Sequence, residues 1–243
     1  TPQRESTWLF SATMPPEIRK VSKRYMKDPV EVTVGKVNTS NKSIDHQYYV
    51  TTAQHRYQTL KRIIDFNPGI YGIIFTRTKA DAQEITQRLT REGYDIDALH
   101  GDLTQAQRDK VMGEFRDKSL QLLIATDVAA RGIDVNDVDA VFNFDIPLDE
   151  EYYVHRIGRT ARAASEGTAY TFIIEKEQSK FARIEQLIGK EVPKAVVPEA
   201  LGPTPAYSPR TARSGNAPQN RRYGGGKPKH GNNRPRPNNN RPQ

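Results

Sequence analysis

The sequence predicts an α/β fold in which helices cover both faces of a parallel sheet. From about Lys42 to Lys190, short apolar runs alternate with amphipathic stretches, which is the pattern of successive βαβ units. Several of these runs are continuous and rich in β-branched residues, as expected for strands that are buried on both faces. No run approaches the roughly 18 consecutive apolar residues of a membrane-spanning helix, so we exclude a transmembrane protein of that kind.

The apolar runs predict six strands, and the amphipathic stretches predict the helices between them. The predicted strands are 47–50, 72–76, 95–99, 120–126, 140–144 and 168–174. One helix is predicted over 79–92, because its apolar residues share one stripe and Gly93 supplies a stop. Another is predicted over 105–115, where Thr104 and Gln107 form a capping box.

The chain ahead of the sheet predicts a separate short unit. Trp8 to Phe10 are apolar in succession and predict a buried strand. The Pro15-Pro16 pair then predicts the start of a helix. We therefore expect three parts in the chain. They are 1–40, the end of a preceding domain and a linker; 41–195, the α/β domain; and 196–243, a disordered tail.

The tail carries the positive charge of the chain. Residues 203–243 hold nine of the 37 Lys and Arg and none of the 29 Asp and Glu, so the rest of the chain is close to neutral. This stretch is rich in Pro, Gly, Asn and Arg and offers little apolar surface to offset the entropy cost of ordering. Its arginines, with Tyr207 and Tyr223 as stacking faces, suit sequence-tolerant binding to phosphate backbones. The alternative is a tail that serves only solubility.

Cysteine and histidine usage limits the possible chemistry. The chain has no cysteine, which excludes disulfides, a thiolate nucleophile and cysteine-ligated zinc, and favours a cytoplasmic protein. Its five histidines show no metal-ligand spacing. We therefore expect no metal held by this chain alone.

Polar residues follow four of the predicted strands, at the edge where ligands bind in parallel sheets. The four runs are Thr76 to Lys79, His100 to Asp102 with Gln105 and Arg108, Ala125 to Asp134, and His155 to Arg162. We expect all four to gather at one edge.

The fourth run contains the sharpest signal. Arg159 and Arg162 are three residues apart, so a helical turn would aim two guanidinium groups at one spot, as a polyphosphate requires. The alternative is that this pair bridges local acids within 149–151. Arg131 and Asp134 likewise have two interpretations. They form a local ion pair, or the Asp134 carboxylate contacts a ribose hydroxyl.

Hydroxyl and glycine residues at strand ends are candidate phosphate donors. Thr126 and Gly101 have the better case, because a hydroxyl and an exposed backbone N–H donate well to phosphate. Thr78 is open between a ligand contact and a helix cap through Asp81, and Thr13 is likewise a candidate cap.

Taken together, these residues resemble the motifs of DEAD-box ATP-dependent RNA helicases. The motifs occur in the family's order: Ser11-Ala12-Thr13; Ile74-Phe75 with Thr78; His100-Gly101-Asp102 with Gln105 and Arg108; Ala125-Thr126-Asp127 through Asp134; and His155 to Arg162. The resemblance covers about residues 6 to 175 and is to the carboxy-terminal motor domain, preceded by the end of the amino-terminal one. It implies a RecA-like fold and ATP-driven local separation of RNA strands.

The resemblance also implies a role for each matching residue. ATP would be bound by Arg131, Gly132, Asp134, Arg159 and Arg162, with the last two as arginine fingers on the γ-phosphate. His155 would link the two motor domains, and Ser11 and Thr13 would couple hydrolysis to unwinding. RNA would be held by Thr78, Gly101, Gln105, Arg108, Thr126 and Asp127, largely independently of its sequence and as a single strand or local duplex.

Two departures from the family pattern matter. Ala161 stands where the family usually has glycine, and its methyl group is tolerated only if the backbone φ is negative. The chain also lacks a Gly-Lys-Ser/Thr phosphate loop and an Asp-Glu-Ala-Asp run, so we expect ATP and Mg²⁺ to be held by a missing domain and this chain to be inactive alone. We expect a monomer without membrane contact. The alternative function is a non-enzymatic RNA-binding or annealing protein that acts through its tail.

Overall fold

The strands of the computed structural model form one parallel sheet of six. The model describes residues 6–11, 14, 16–33, 43–131, 135, 137–161, 166–201 and 204–209. The strands are β1 (Ile44–Val50), β2 (Gly72–Thr76), β3 (Ile96–Leu99), β4 (Leu122–Thr126), β5 (Ala140–Asn143) and β6 (Gly167–Ile173), in the order β1-β6-β5-β2-β4-β3. Every pairing is parallel. All six predicted strands are confirmed, with ends shifted by three residues or fewer.

Five helices cover the two faces of this sheet, and one precedes it. The preceding helix is α1 (Pro16–Tyr25), and the five are α2 (Arg56–Phe66), α3 (Lys79–Arg91), α4 (Gln105–Arg116), α5 (Glu151–Ile157) and α6 (Gln178–Ile188). Apolar side chains of α4, α5 and α6 pack on one face, and those of α2 and α3 pack on the other. Neighbouring strand residues alternate between the two cores, as Ile74 and Phe75 do, which explains the continuous apolar runs.

Side chains at the predicted positions start and stop the helices. The Thr78 hydroxyl accepts a hydrogen bond from the Asp81 N–H and caps α3. Thr104 and Gln107 form the expected capping box of α4. Gly93 follows α3 with φ +89°, a conformation that glycine adopts without strain. These local signals fix where each helix begins and ends relative to the carboxyl edge of the sheet.

The predicted buried strand near the amino terminus is wrong. Residues 6–11 form no strand, and Trp8 and Phe10 are 77% and 86% exposed. A strand needs a neighbour to pair its backbone, and none of the described residues pairs with this segment. The predicted helix after it is confirmed as α1, which has no buried residue.

The carboxy-terminal side of the domain extends further than predicted. Tyr207 packs against Tyr48 and Phe181, and its hydroxyl donates to Glu185 at 2.8 Å. The Gln178 side chain also bonds the backbone on both sides of Tyr207. Residues 204–209 therefore belong with the folded domain, and Tyr207 does not offer the free stacking face that we predicted. The predicted tail beyond 209 lies outside the described residues.

Within the described part of the chain, no helix is long and apolar enough to span a membrane.

Candidate functional site

A cavity of about 290 Å³ opens where the fourth polar run meets the carboxyl edge of the sheet. Its lining residues are Phe75, Asp127, Ala130, Arg131, Tyr152, His155, Arg156 and Arg159. Two of the predicted ATP-binding residues, Arg131 and Arg159, therefore lie together with His155, the predicted link between the motor domains. Gly132, Asp134 and Arg162 lie outside the described residues, so their roles stay predictions.

Arg156 fixes the floor of this cavity. Its side chain is buried and forms a two-pronged ion pair with Asp127, with N–O distances of 2.6 and 2.8 Å. It also donates to the Asn143 side chain at 3.2 Å and to the Asp145 carbonyl at 2.6 Å. The guanidinium lies 5.0 Å from the centre of the Phe75 ring. Arg156 thus ties α5 to the ends of β2, β4 and β5, which sets the position of the residues around it.

His155 precedes this anchor on α5, and Arg159 follows it in the turn after the helix. His155 is exposed and Arg159 is half-buried, and both line the cavity. Loss of solvation, and secondarily the positive charge of Arg159, lower the pKa of His155. The His155 imidazole is therefore neutral at neutral pH, and the positive charge of the cavity comes from its arginines. Such a charge suits an anionic ligand.

Arg131 closes the cavity on another side. Its guanidinium donates to the Tyr152 hydroxyl and lies 5.2 Å from the centre of that ring. Arg131 therefore reaches α5 from the loop after β4, and the two sides of the cavity are in contact.

The prediction that Arg159 and Arg162 share a helical turn is wrong. Helix α5 ends at Ile157, and the Arg159 N–H is bonded to the Arg156 carbonyl in a turn instead. Thr160 then pairs with Val138 in a short parallel bridge. Of the described residues after α5, Thr160 is therefore held by a turn and by the Val138 segment, and none continues the helix.

The predicted RNA residues follow β2, β4 and β3, which are neighbours in the sheet. Gly101 is exposed, with nothing within 4 Å of the position that a Cβ would occupy. The Thr126 hydroxyl accepts from the Ala129 N–H at 3.4 Å, and Arg108 donates to the Ala129 carbonyl. These residues thus form a continuous edge beside the cavity.

Other side chains of this edge contact each other. Gln105 donates to Asp109 at 2.7 Å, one turn further along α4. Lys79 bridges to Asp102 at 2.9 Å and so joins the loops after β2 and β3. Ser11 is exposed, and Thr13 lies outside the described residues. These contacts link the loops after β2 and β3, and the roles of the RNA set and of the coupling pair stay predictions.

Comparisons with known proteins match this arrangement. A model of the helicase conserved C-terminal domain matches residues 55–164. The Escherichia coli DEAD-box protein SrmB, solved bound to regulator of ribonuclease activity A, is 30% identical with a TM-score of 0.61, and the match covers 71% of this chain and 97% of that one. The chain belongs to the DEAD-box family.

Two further relatives show how much of a DEAD-box protein is present. The DEAD-box ATP-dependent RNA helicase CshA of Bacillus subtilis is 42% identical over 185 residues, which are 76% of this chain and 37% of the relative. Saccharomyces cerevisiae Dbp5, solved with RNA and ADP BeF3, is 29% identical with a TM-score of 0.72, over 79% of this chain and 51% of that one. The chain thus spans little more than a third of the curated relative. The predicted RecA-like fold is confirmed.

Ala161 is where this DEAD-box chain departs from the family pattern, and its backbone is strained. Its φ is +55°, and its methyl group is buried at 1% exposure. A left-handed conformation costs an L-residue about 1–2 kcal/mol. The condition for tolerating the methyl group, a negative φ, is therefore not met, and the surrounding core must offset the strain.

Sequence reasoning missed the buried polar residues that support this DEAD-box site. Arg156 stands inside the fourth polar run, and the helical period places it on the same face of α5 as the buried Tyr153 and Ile157. Beneath it, Asn143 donates to the Thr171 hydroxyl at 3.3 Å. The Tyr153 hydroxyl is 3.5 Å from the same Thr171 oxygen. No comparable signal marks the strand residues, because a polar residue within an apolar run predicts only a break.

Among the described residues, no group of three or more His, Cys, Asp or Glu is placed to hold a metal ion.

Proposed function

We propose that this chain is one half of an ATP-dependent RNA helicase, in which RNA-stimulated ATP hydrolysis drives local unwinding of RNA. The observation that carries the proposal is the placement of two sets of residues on one sheet edge. The arginine-lined cavity of Arg131, His155 and Arg159 lies beside the row formed by Thr126, Gly101 and Arg108. CshA, whose name describes an ATP-dependent RNA helicase, supports the same interpretation.

The cavity supports a role in phosphate binding. Arg159 borders it from a turn whose backbone is hydrogen-bonded to Arg156, and a planar guanidinium suits the oxygens of a γ-phosphate. We propose Arg159 and Arg162 as the two arginine fingers, with Asp134 on the ribose and Gly132 and Arg131 beside the nucleotide. His155 would contact the other motor domain. That domain would hold the Mg²⁺, which neutralises the phosphates when bound.

The neighbouring edge supports a role in RNA binding. An exposed backbone N–H at Gly101 and the guanidinium of Arg108 are donors that phosphates accept from any sequence. Thr78 caps α3 and is exposed at the end of its strand, whereas Thr126 is buried and accepts from the Ala129 N–H, so it would contribute mainly by holding its turn. Gln105 supports α4. Both carboxylate oxygens of Asp127 already accept from Arg156. We therefore propose Asp127 chiefly as the anchor of Arg156, with any contact to RNA as a secondary role.

Closure of the two domains would be the switch. Arginine fingers contribute about 10³ to 10⁵ in rate, or roughly 4–7 kcal/mol, so hydrolysis would depend on bringing Arg159 onto ATP held elsewhere. RNA contacts on the same edge favour the same closed state. RNA and ATP should then bind cooperatively, because binding linkage is reciprocal. We further propose a monomer that works in the cytoplasm.

A second candidate is an RNA-binding or annealing protein without enzymatic activity. The concentration of nine Lys and Arg within 203–243 favours it. In that case, the α/β domain is a scaffold and its cavity residues have no role.

One experiment separates the two candidates. ATP hydrolysis with and without single-stranded RNA is measured for the protein joined to an amino-terminal motor domain of the family. The compared variants are Arg159→Ala, a deletion of 210–243, and the control Arg91→Ala at the exposed end of α3. The helicase proposal expects Arg159→Ala to lose at least about a thousandfold in turnover while RNA binding survives. The absence of RNA-stimulated turnover in the unmodified protein, or a silent Arg159→Ala together with loss of RNA binding on deletion, supports the second candidate instead.

A further inference from the structure

Arg77 stands where a phosphate ligand would be expected. It lies between Thr76 and Thr78 at the end of β2, in the run proposed to face RNA, and its charge suits a phosphate. Its guanidinium, however, donates to Glu177 at 2.6 Å and lies 3.7 Å from the Asp145 carboxylate. Its backbone N–H also donates to Asp145 at 3.0 Å. Both ends of Arg77 are thus held by acids of the domain.

These acids are buried and shared with a second arginine. Asp145 and Glu177 are 6% and 5% exposed. Arg56, 6% exposed at the start of α2, donates to Asp145 at 2.5 Å and to Glu177. Glu177 further accepts from the Ile174 N–H at 3.3 Å. We call Arg56, Arg77, Asp145 and Glu177 the ion cluster; its formal charge is zero, so each arginine is neutralised within it.

The ion cluster connects the two halves of the site. Through Arg77 it holds the turn that leads to Thr78 and α3 on the RNA side. Through Asp145, whose carbonyl accepts from Arg156 at 2.6 Å, it reaches α5 on the cavity side. A buried charge that loses its partner destabilises its surroundings strongly, so the members of the ion cluster fix each other's positions.

We infer that Arg77 is a positioning residue that orients the Thr78 turn through Glu177 and Asp145, and that it is not a ligand of RNA phosphate. The inference rests on the proposed RNA-binding role of this edge. It predicts opposite results from those of a phosphate ligand when Glu177 is changed. Neutralising Glu177 disturbs a positioning residue, whereas it would release a phosphate ligand to bind RNA more tightly.

The test is the affinity of labelled single-stranded oligouridine for the full protein across a series of KCl concentrations. Removal of one ion pair between the protein and an RNA phosphate lowers the slope of log affinity against log salt by about 0.7 for a single strand. We expect Arg77→Met and Glu177→Gln each to weaken binding several-fold with an unchanged slope. We expect the double variant to be no weaker than the weaker single variant, because the two residues act as one unit.

Three results would overturn the inference: a slope reduced by about 0.7 in Arg77→Met, tighter binding by Glu177→Gln, or unchanged affinity in Arg77→Met. Thermal unfolding of each variant checks that it is folded. If Glu177→Gln does not fold, Arg77→Met decides alone through its slope, since the Arg77 side chain is 36% exposed and Arg56 still neutralises Glu177. Arg108→Gln is the reference. If it leaves both slope and affinity unchanged, the proposed RNA edge fails, which is distinct from a failure at Arg77.

Discussion

The buried histidine at the start of the sheet makes the stability of the domain depend on pH. His46 on β1 is fully buried, and its Nδ1 lies 3.1 Å from the Tyr153 hydroxyl. Burial is the main reason that its pKa falls from 6.5 to about 4, and the charge of Lys190 adds to this while Asp45 opposes it. In the unfolded chain the same imidazole has its ordinary pKa near 6.5.

The sign and size of the effect follow from these two values. Between pH 6.5 and 4 the unfolded chain binds a proton at His46 that the folded domain does not, so the free energy of unfolding falls as the pH falls. Full stability is present above pH 6.5. At pH 5 the loss from this one group is about 2 kcal/mol, and it approaches about 3 kcal/mol at pH 4 and below.

Urea unfolding of wild type and His46→Gln at pH 7 and pH 5 measures this contribution. Glutamine keeps an acceptor for the Tyr153 hydroxyl and does not titrate. We expect wild type to lose about 2 kcal/mol more than the variant between the two pH values. The lowered pKa of His155 acts in the same direction but is present in both proteins, so it cancels. Equal losses in the two proteins would refute the assignment of a buried neutral imidazole.

Three other substitutions test particular contacts. Ala161→Gly should change the free energy of unfolding by no more than about 1 kcal/mol. Relief of the left-handed strain stabilises the variant, and this offsets the lost methyl group and the larger entropy of its unfolded chain. A loss above about 2 kcal/mol in urea unfolding contradicts the strain at φ +55°. Gly167→Ala should destabilise the domain by about 1–3 kcal/mol, because the new Cβ would overlap the Thr160 hydroxyl and lie 2.9 Å from the Thr160 Cβ. The control Gly113→Ala in α4 has open space around its Cβ and should stabilise by about 0.5–1 kcal/mol. Equal shifts of the melting temperature in the two variants would disprove the overlap. Asp127→Asn should destabilise the domain in the absence of RNA by at least about 2 kcal/mol, since it leaves Arg156 without its ion pair, and an unchanged melting temperature would return Asp127 to a role in RNA binding alone.

The sheet was predictable because its strands are short, apolar and separated by helices with clear caps. A continuous apolar run such as Leu122–Thr126 favours a strand that is buried on both faces. Thr78 and Thr104 mark helix starts, because their hydroxyls accept from backbone N–H groups of the first turn. The gathering of polar runs at one edge followed from parallel pairing alone. Local sequence thus determined both the elements and the edge on which the site lies.

Long-range polar contacts were beyond such reasoning. Arg56 meets its acids 89 and 121 residues away, and a charged residue at a helix start is ordinarily exposed. The path after α5 was mistaken for a helix because spacing alone does not reveal the bridge from Thr160 to Val138. Trp8 and Phe10 carried a core signal without a neighbouring strand to cover them. Each error concerns a residue whose environment is set by distant parts of the chain.

The central claim is that the arginine cavity and the RNA edge act through one closed state. It is tested most directly by the affinity of single-stranded RNA, with and without a non-hydrolysable ATP analogue, in the protein joined to an amino-terminal motor domain. We predict that the analogue tightens RNA binding at least about fivefold in wild type and in Arg91→Ala, and that Arg159→Ala removes most of this coupling while binding to RNA alone is unchanged. Coupling that survives intact in Arg159→Ala would contradict the claim.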